Sequence, residues 1–181
     1  MATTKWVIDA SHSEVQFKVK HLMVTTVTGN LKSFSGSVKT SKEDFSDAKI
    51  SFTADMKSLT TGSEQRDQHL AGEDFFEIEK FPELTFNSIG FTKKADGSYQ
   101  LTGNLSIRGF SKEITLNVEF GGLVKDPWGN KKAAFSLHGK ISRKDFGLVW
   151  NVVTEGGGVL VSDEVKLLAE VQLAEEVPVE A

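Results

Sequence analysis

Arg66, Asp67 and His69 fall within four positions of one another, and Leu70 follows directly. On a helix, positions three and four apart share a face, so Arg66, His69 and Leu70 would present a cation, an imidazole and an oily side chain in one direction. Two readings fit this pattern. Arg66 and His69 could donate hydrogen bonds to a polar headgroup such as a phosphate or a quinone oxygen. Alternatively, Arg66 and Asp67 could pair and pin the helix in place, because a buried charge needs a partner. His12 and His21 flank the first full strand pattern and, with His69, supply imidazoles that could hold a metal. No short ligand spacing such as HExxH is present, so no metal is expected, and histidines so placed commonly satisfy buried backbone or carboxylate groups. Ser13 beside His12 lacks the GxSxG setting of an activated serine. Arg143 and Asp145 are spaced to form a local pair, and Glu155-Gly156-Gly157-Gly158 lacks the GK[ST] of a phosphate loop.

The segment that must position Arg66 and His69 runs over residues 60–86, and it breaks the period of the chain around it. Thr61 and Glu64 have capping-box spacing, and Gly72 is placed as a helix-ending glycine, which predicts a short helical insertion near residues 62–71. Asp74-Phe75-Phe76 and Phe81-Pro82 then bring three aromatics to a stretch that extends before proline. One side of this segment is polar and its far end is oily, as a lid over an apolar chamber would be.

Elsewhere the chain alternates like strand. Val15, Phe17 and Val19 alternate with Gln16, Lys18 and Lys20; Ile50, Phe52, Ala54 and Met56 form another oily face. Between them, residues 21–27 break the period and read as a short helical turn, and Thr28-Gly29-Asn30 reads as a bend. Leu84 and Phe86 lie on one parity while Ile89 and Phe91 lie on the other, which predicts a bulge. Asp96-Gly97 marks a hairpin, after which Tyr99, Leu101, Gly103, Leu105 and Ile107 share a face. Ile114, Leu116, Val118 and Phe120 form the next, then Phe135, Leu137, Gly139 and Ile141, and finally Val165 to Leu173. About eight strands with short turns and no βαβ rhythm predict an antiparallel all-β barrel or sandwich. A closed barrel of that size can hold one small ligand. Gly103 and Gly139 on the inward parity would leave space for it, although a strand glycine equally marks a bend.

Composition narrows the function. The chain has 181 residues, enough for one domain with a core, and a net charge of −4, without the basic stripe of a nucleic-acid binder. Thirteen phenylalanines against one tyrosine favour dry interior surface, and the absence of cysteine excludes disulfides and thiol chemistry. No apolar run approaches the ~20 residues of a membrane span. The N-terminal residues as written show no export signal, which predicts a cytoplasmic protein. Residues 1–174 read as one domain, with 175–181 as a frayed acidic tail.

Several separated motifs carry a resemblance. Trp6-Val7-Ile8-Asp9 with Ser11-His12-Ser13, Val15, Phe17 and His21 opens the series. Thr61-Gly62 with Arg66-Asp67-Gln68-His69-Leu70, Asp74-Phe75-Phe76 and Phe81-Pro82 continues it. Leu105-Ser106-Ile107-Arg108-Gly109, Arg143 with Asp145-Phe146-Gly147, and Ser162-Asp163-Glu164-Val165 complete it. In this order they resemble the YceI-like family. That resemblance implies a lipocalin-like antiparallel eight-stranded barrel that binds a polyisoprenoid or similar long-chain amphiphile as carrier or store, with no cofactor, and that sometimes forms a homodimer. It also implies that many relatives are periplasmic. It turns the inward residues Phe17, Val19, Phe52, Phe75, Phe76, Phe86, Leu101, Leu105, Leu116, Val118, Phe135 and Leu137 into a candidate ligand wall, with His12, His21, Arg66 and His69 as candidate headgroup contacts at the mouth. Two alternatives remain open: an enzyme acting on a lipid headgroup through His69 or His12, and a structural or stress protein whose lipid is incidental.

Overall fold

A computed structural model describes residues 3–22, 24–151 and 161–176. Its backbone is a closed antiparallel barrel of eight staves, three of them broken. The first stave is β1 (Thr4–Ile8) and β2 (Glu14–His21), the second β3 (Thr25–Leu31) and β4 (Phe34–Thr40), and the third β5 (Lys49–Asp55) and β6 (Leu59–Thr60). The helix α1 (Glu64–Ala71) follows, and then β7 (Glu83–Lys93), β8 (Tyr99–Ile107), β9 (Phe110–Lys125), β10 (Lys131–Ser142) and β11 (Val161–Glu175). Closure rests on β11, which pairs with β10 along one edge and with both pieces of the first stave along the other. Closure pairs the sheet edges that would otherwise invite aggregation, except between β6 and β7.

The break in the first stave has a local cause. Asp9 gathers Ser11 Oγ at 2.7 Å, His12 Nδ1 at 2.8 Å and Lys132 Nζ at 3.2 Å, and its carbonyl accepts from Ser13 Oγ. These bonds curl residues 10–12 into one tight turn. The Ser11 hydroxyl, then His12 and Lys132, hold the Asp9 carboxyl far below the usual carboxylate range.

The bulge read from parity in β7 is present, between Ser88 and Gly90. Other local expectations are corrected. Among the described residues of 21–27 there is no helix; β2 ends at His21 and β3 begins at Thr25. Thr28-Gly29-Asn30 lies inside β3, where a Cβ on Gly29 would stand 2.3 Å from the Phe17 ring. That glycine is a seat for an aromatic on the facing strand, not a bend. The same holds on the inner wall. A Cβ on Gly103 would lie 2.4 Å from Phe86, and one on Gly139 would lie 2.5 Å from Leu116. Neighbouring side chains therefore occupy the room those glycines leave. β11 runs to Glu175, and Glu176 N–H donates to the Lys5 carbonyl, so the first two residues of the expected tail are tied to β1. Residues 177–181 and the Glu155–Gly158 stretch lie outside the described residues.

The barrel is closed at one end. Phe45, between β4 and β5, is 1% exposed and adopts a left-handed backbone with φ 61°. It packs against Trp6 at 5.2 Å, Phe120 at 5.5 Å and Phe135 at 5.1 Å between ring centroids. The Phe120 and Phe135 contacts are edge-on and the Trp6 contact is tilted; aromatic pairs of this kind are worth ~0.5–1.5 kcal/mol beyond their burial, which offsets the unfavourable φ of order 1–2 kcal/mol.

Candidate functional site

Above this floor the barrel holds a cavity of about 640 Å³. That lies within the ~300–1,000 Å³ of ordinary ligand pockets and is roughly four times the ~150 Å³ engineered apolar cavity that stays dry and takes benzene. All twelve residues assigned to the inner wall line it, from Phe17 and Val19 on β2 through Phe52, Phe86, Leu101, Leu105, Leu116 and Val118 to Phe135 and Leu137 on β10, with Phe75 and Phe76 from the loop after α1. They converge because every stave places alternate residues inward.

Among the described residues, the polar side chains that line the cavity gather at the α1 end: Lys20, His21, Ser63, Gln65, Arg66, His69 and Arg143; Gln16, five positions back along β2, is the exception, and its amide donates to Asn30 Oδ1 at 2.9 Å. The α1 end is the mouth. Three of the four candidate headgroup residues are here. His12 is not; it is largely exposed on the Asp9 turn, and Asp9 N–H bonds the carbonyl of Gln172. His21 faces Val161, eleven positions back along β11, so the two histidines are separated by roughly 35 Å of strand. Among the described residues no group of three or more His, Asp or Glu comes together to hold a metal.

Between β6 and β7 the wall is not sheet. β6 pairs only with β3, and α1 with the loop behind it fills the opening. The helix start is Ser63, whose hydroxyl accepts from Arg66 N–H, rather than the Thr61 box read from spacing, and Gly72 ends it in extended rather than left-handed backbone. Asp67 and Arg66 do not pair with each other in contact. Both grip Thr61: Asp67 accepts from the Thr61 N–H at 2.8 Å and hydroxyl at 2.6 Å and from Thr60, while Arg66 donates to the Thr61 hydroxyl and carbonyl, each at 2.7 Å. Burial opposes the Asp67 charge, but the Thr61 and Thr60 bonds and nearby Arg66 outweigh it and lower its pKa. His69 Nε2 meets Asp74 Oδ2 at 2.9 Å, and its ring stands edge-on to Phe75 and Trp150. Arg66 and His69 are thus committed to holding the lid. The side chains of His21 and Gln65 make no hydrogen bond among the described residues and remain available at the rim.

Arg143 is a correction to the expected local pair. It is 3% exposed and leaves Asp145 alone. Its guanidinium donates to the carbonyls of Leu148 at 2.6 Å, Trp150 at 2.8 Å, Ser162 at 2.9 Å and Val161 at 3.2 Å. Burial lowers its pKa while the charge of Asp163 works against that shift. Arg108 acts similarly, joining the carbonyls of Gly147 and Glu73 across the mouth. Five planar donors suit such bridging of carbonyls. Sequence reasoning missed Gln65, Trp150 and the floor residue Phe45. A lone phenylalanine among Glu43, Asp44 and Asp47 was the one available signal for the floor.

An apolar barrel interior with polar side chains at its mouth is the arrangement that the resemblance implied, and a YceI-like domain matches residues 6–173. The chain belongs to the YceI-like family. A UPF0312 protein of Staphylococcus aureus (strain N315) is 34% identical, over 94% of this chain and 98% of its own. The crystal structure of a Campylobacter jejuni YceI protein is 36% identical and superposes with a TM-score of 0.73, covering 93% of this chain and 96% of that one. A polyisoprenoid-binding domain from Saccharophagus degradans shares the fold with a TM-score of 0.70 at 14% identity, covering 94% and 98%. Within the YceI-like family, the lipocalin-like barrel is therefore the observed fold of this chain.

Proposed function

We propose that the barrel holds the apolar chain of a polyisoprenoid or similar long amphiphile, as a carrier or store, with the headgroup at the α1 end. One observation carries this: among the described residues the cavity wall is apolar down to the Phe45 floor but for Gln16, and its other polar side chains gather at the mouth. The polyisoprenoid-binding description of the Saccharophagus relative supports the choice of ligand.

The energetics agree. A void of this volume, at the ~24 cal/mol per Å³ of core cavities, forfeits roughly 15 kcal/mol of packing, comparable with the whole net stability of a domain. An occupying chain recovers much of that. Each buried CH₂ is worth ~0.8 kcal/mol from water, so one isoprene unit contributes about 3–4 kcal/mol gross. Eight units would exceed the ~18–21 kcal/mol ceiling on non-covalent affinity, so tail ordering and incomplete burial offset much of the sum. Headgroup contact falls to His21 and Gln65.

Native mass spectrometry of protein purified from cells is expected to show a co-purifying prenyl lipid. Leu101→Arg, on the buried wall, should abolish retention; Leu137→Trp, which fills volume without adding charge, should reduce it in a protein that still folds. Unchanged lipid content in a folded Leu137→Trp variant would show that the chain does not lie in this cavity.

A further inference from the structure

We propose that the rim of the mouth is a membrane-docking surface that inserts into the outer layer of a lipid bilayer. Among the described residues, four large apolar side chains are exposed at this end: Leu22 at 46%, Val24 at 77%, Phe110 at 49% and Val149 at 63%. Leu22 and Val24 form the β2–β3 turn. Val149 follows the turn at 143–146, and Phe110 lies beneath the neighbouring Gly147, whose Cβ would stand 2.4 Å from its ring. The two groups are joined through the Asn151 side-chain amide and the Val161 backbone. Asn151 exchanges bonds with Val161, and Val161 is the partner of His21.

Three features select a bilayer as the occupant. Tight turns favour Gly, Asn, Asp and Ser, yet this one carries leucine at φ 53°, a conformation that is an outlier for a bulky apolar residue and points towards function. The apolar rim is continuous with the apolar interior, because Trp150 and Val161 line the cavity directly behind Val149. A protein partner seated here would cover the entrance, whereas a bilayer covers the rim and is also the source of a long-chain amphiphile. Charge does not drive the contact: the cations at this end, Lys20, Arg66, Arg108, Arg143 and Lys144, are matched in number by Asp67, Asp74, Glu77, Asp145 and Asp163, and the chain is net negative. The surface therefore suits neutral lipid and shallow insertion, with reversible binding set by a few apolar side chains.

This surface rests on the lipid-binding reading, and two assays separate them. In the first, lipid-free protein is centrifuged with phosphatidylcholine vesicles, with and without phosphatidylglycerol, at low and high salt. Val24→Asp combined with Val149→Asp is expected to reduce vesicle association about tenfold or more, while Trp128→Ser on the β9–β10 hairpin at the floor end leaves it unchanged. Association with neutral vesicles that survives salt supports the proposal. Association that needs phosphatidylglycerol and disappears in salt, equal association of the rim variant, or loss through Trp128→Ser overturns it. In the second, a prenyl lipid is delivered from detergent, bypassing the bilayer. The rim variant is expected to retain lipid like the parent, since neither residue lines the cavity. Failure of the parent to retain lipid there defeats the cavity reading, whatever the vesicles show.

Discussion

Asp67 illustrates how little of the lid is held by oil. The helix α1 has no fully buried residue, so its attachment depends on the carboxylate that receives Thr60 and Thr61 and on Arg66 gripping Thr61 from the other side. The folded pKa of Asp67 is lowered. Its contribution is thus complete above the unfolded carboxylate value near ~3.9 and is lost as pH falls through the folded value. Asp67→Asn should cost about 1 kcal/mol in urea denaturation at pH 7, and the gap from the parent should close in acid. A gap that stays constant with pH would mean that the charge does not anchor the helix. The sequence showed that Arg66 and His69 belong together near an opening. It could not show which partners would claim them, because Thr61 and Asp74 reach them only through the helix start and the turn that follows. Arg143 was misread for the same reason: its four carbonyl partners come from segments that only tertiary folding brings together.

Among the elements, the strands were the most legible, because a period of two survives wherever one face is buried. The β7 bulge was readable as a parity switch between Phe86 and Ile89, and Asp96-Gly97 fixed its hairpin. What alternation cannot convey is where a glycine's empty volume goes. Gly103 and Gly139 suggested open space, yet Phe86 and Leu116 lie over them. Gly103→Ala is expected to destabilise the barrel by about 1–3 kcal/mol through overpacking, since the new methyl also meets the Asn87 carbonyl oxygen at 2.6 Å. Gly90→Ala, with nothing within 4 Å, should be close to neutral by the same thermal melt. Equal effects at the two sites would refute the seat assigned to the Phe86 ring. The stave breaks were not legible, because each depends on side chains such as Asp9 bonding their own backbone neighbours and Lys132 far along the chain.

At the level of the whole molecule, the ring of eight staves was readable in outline from strand count and turn lengths, while the depth of the cavity and its floor were not. Those depend on Phe45 turning inward from a polar loop. A barrel built around so large a space should depend on its contents. Stripping bound lipid with detergent and solvent is expected to lower Tm by several degrees, and adding a prenyl alcohol should restore it in a concentration-dependent way, as linkage requires. An unchanged melting curve after verified removal would indicate that the void does not weaken the fold.

The Phe45 floor carries a kinetic consequence. A tube that ends blind has one doorway, and a newcomer cannot push a resident out from behind. Exchange must be sequential: the resident withdraws fully before a successor enters. Release is then first order, and its rate does not rise with the amount of competing lipid supplied outside.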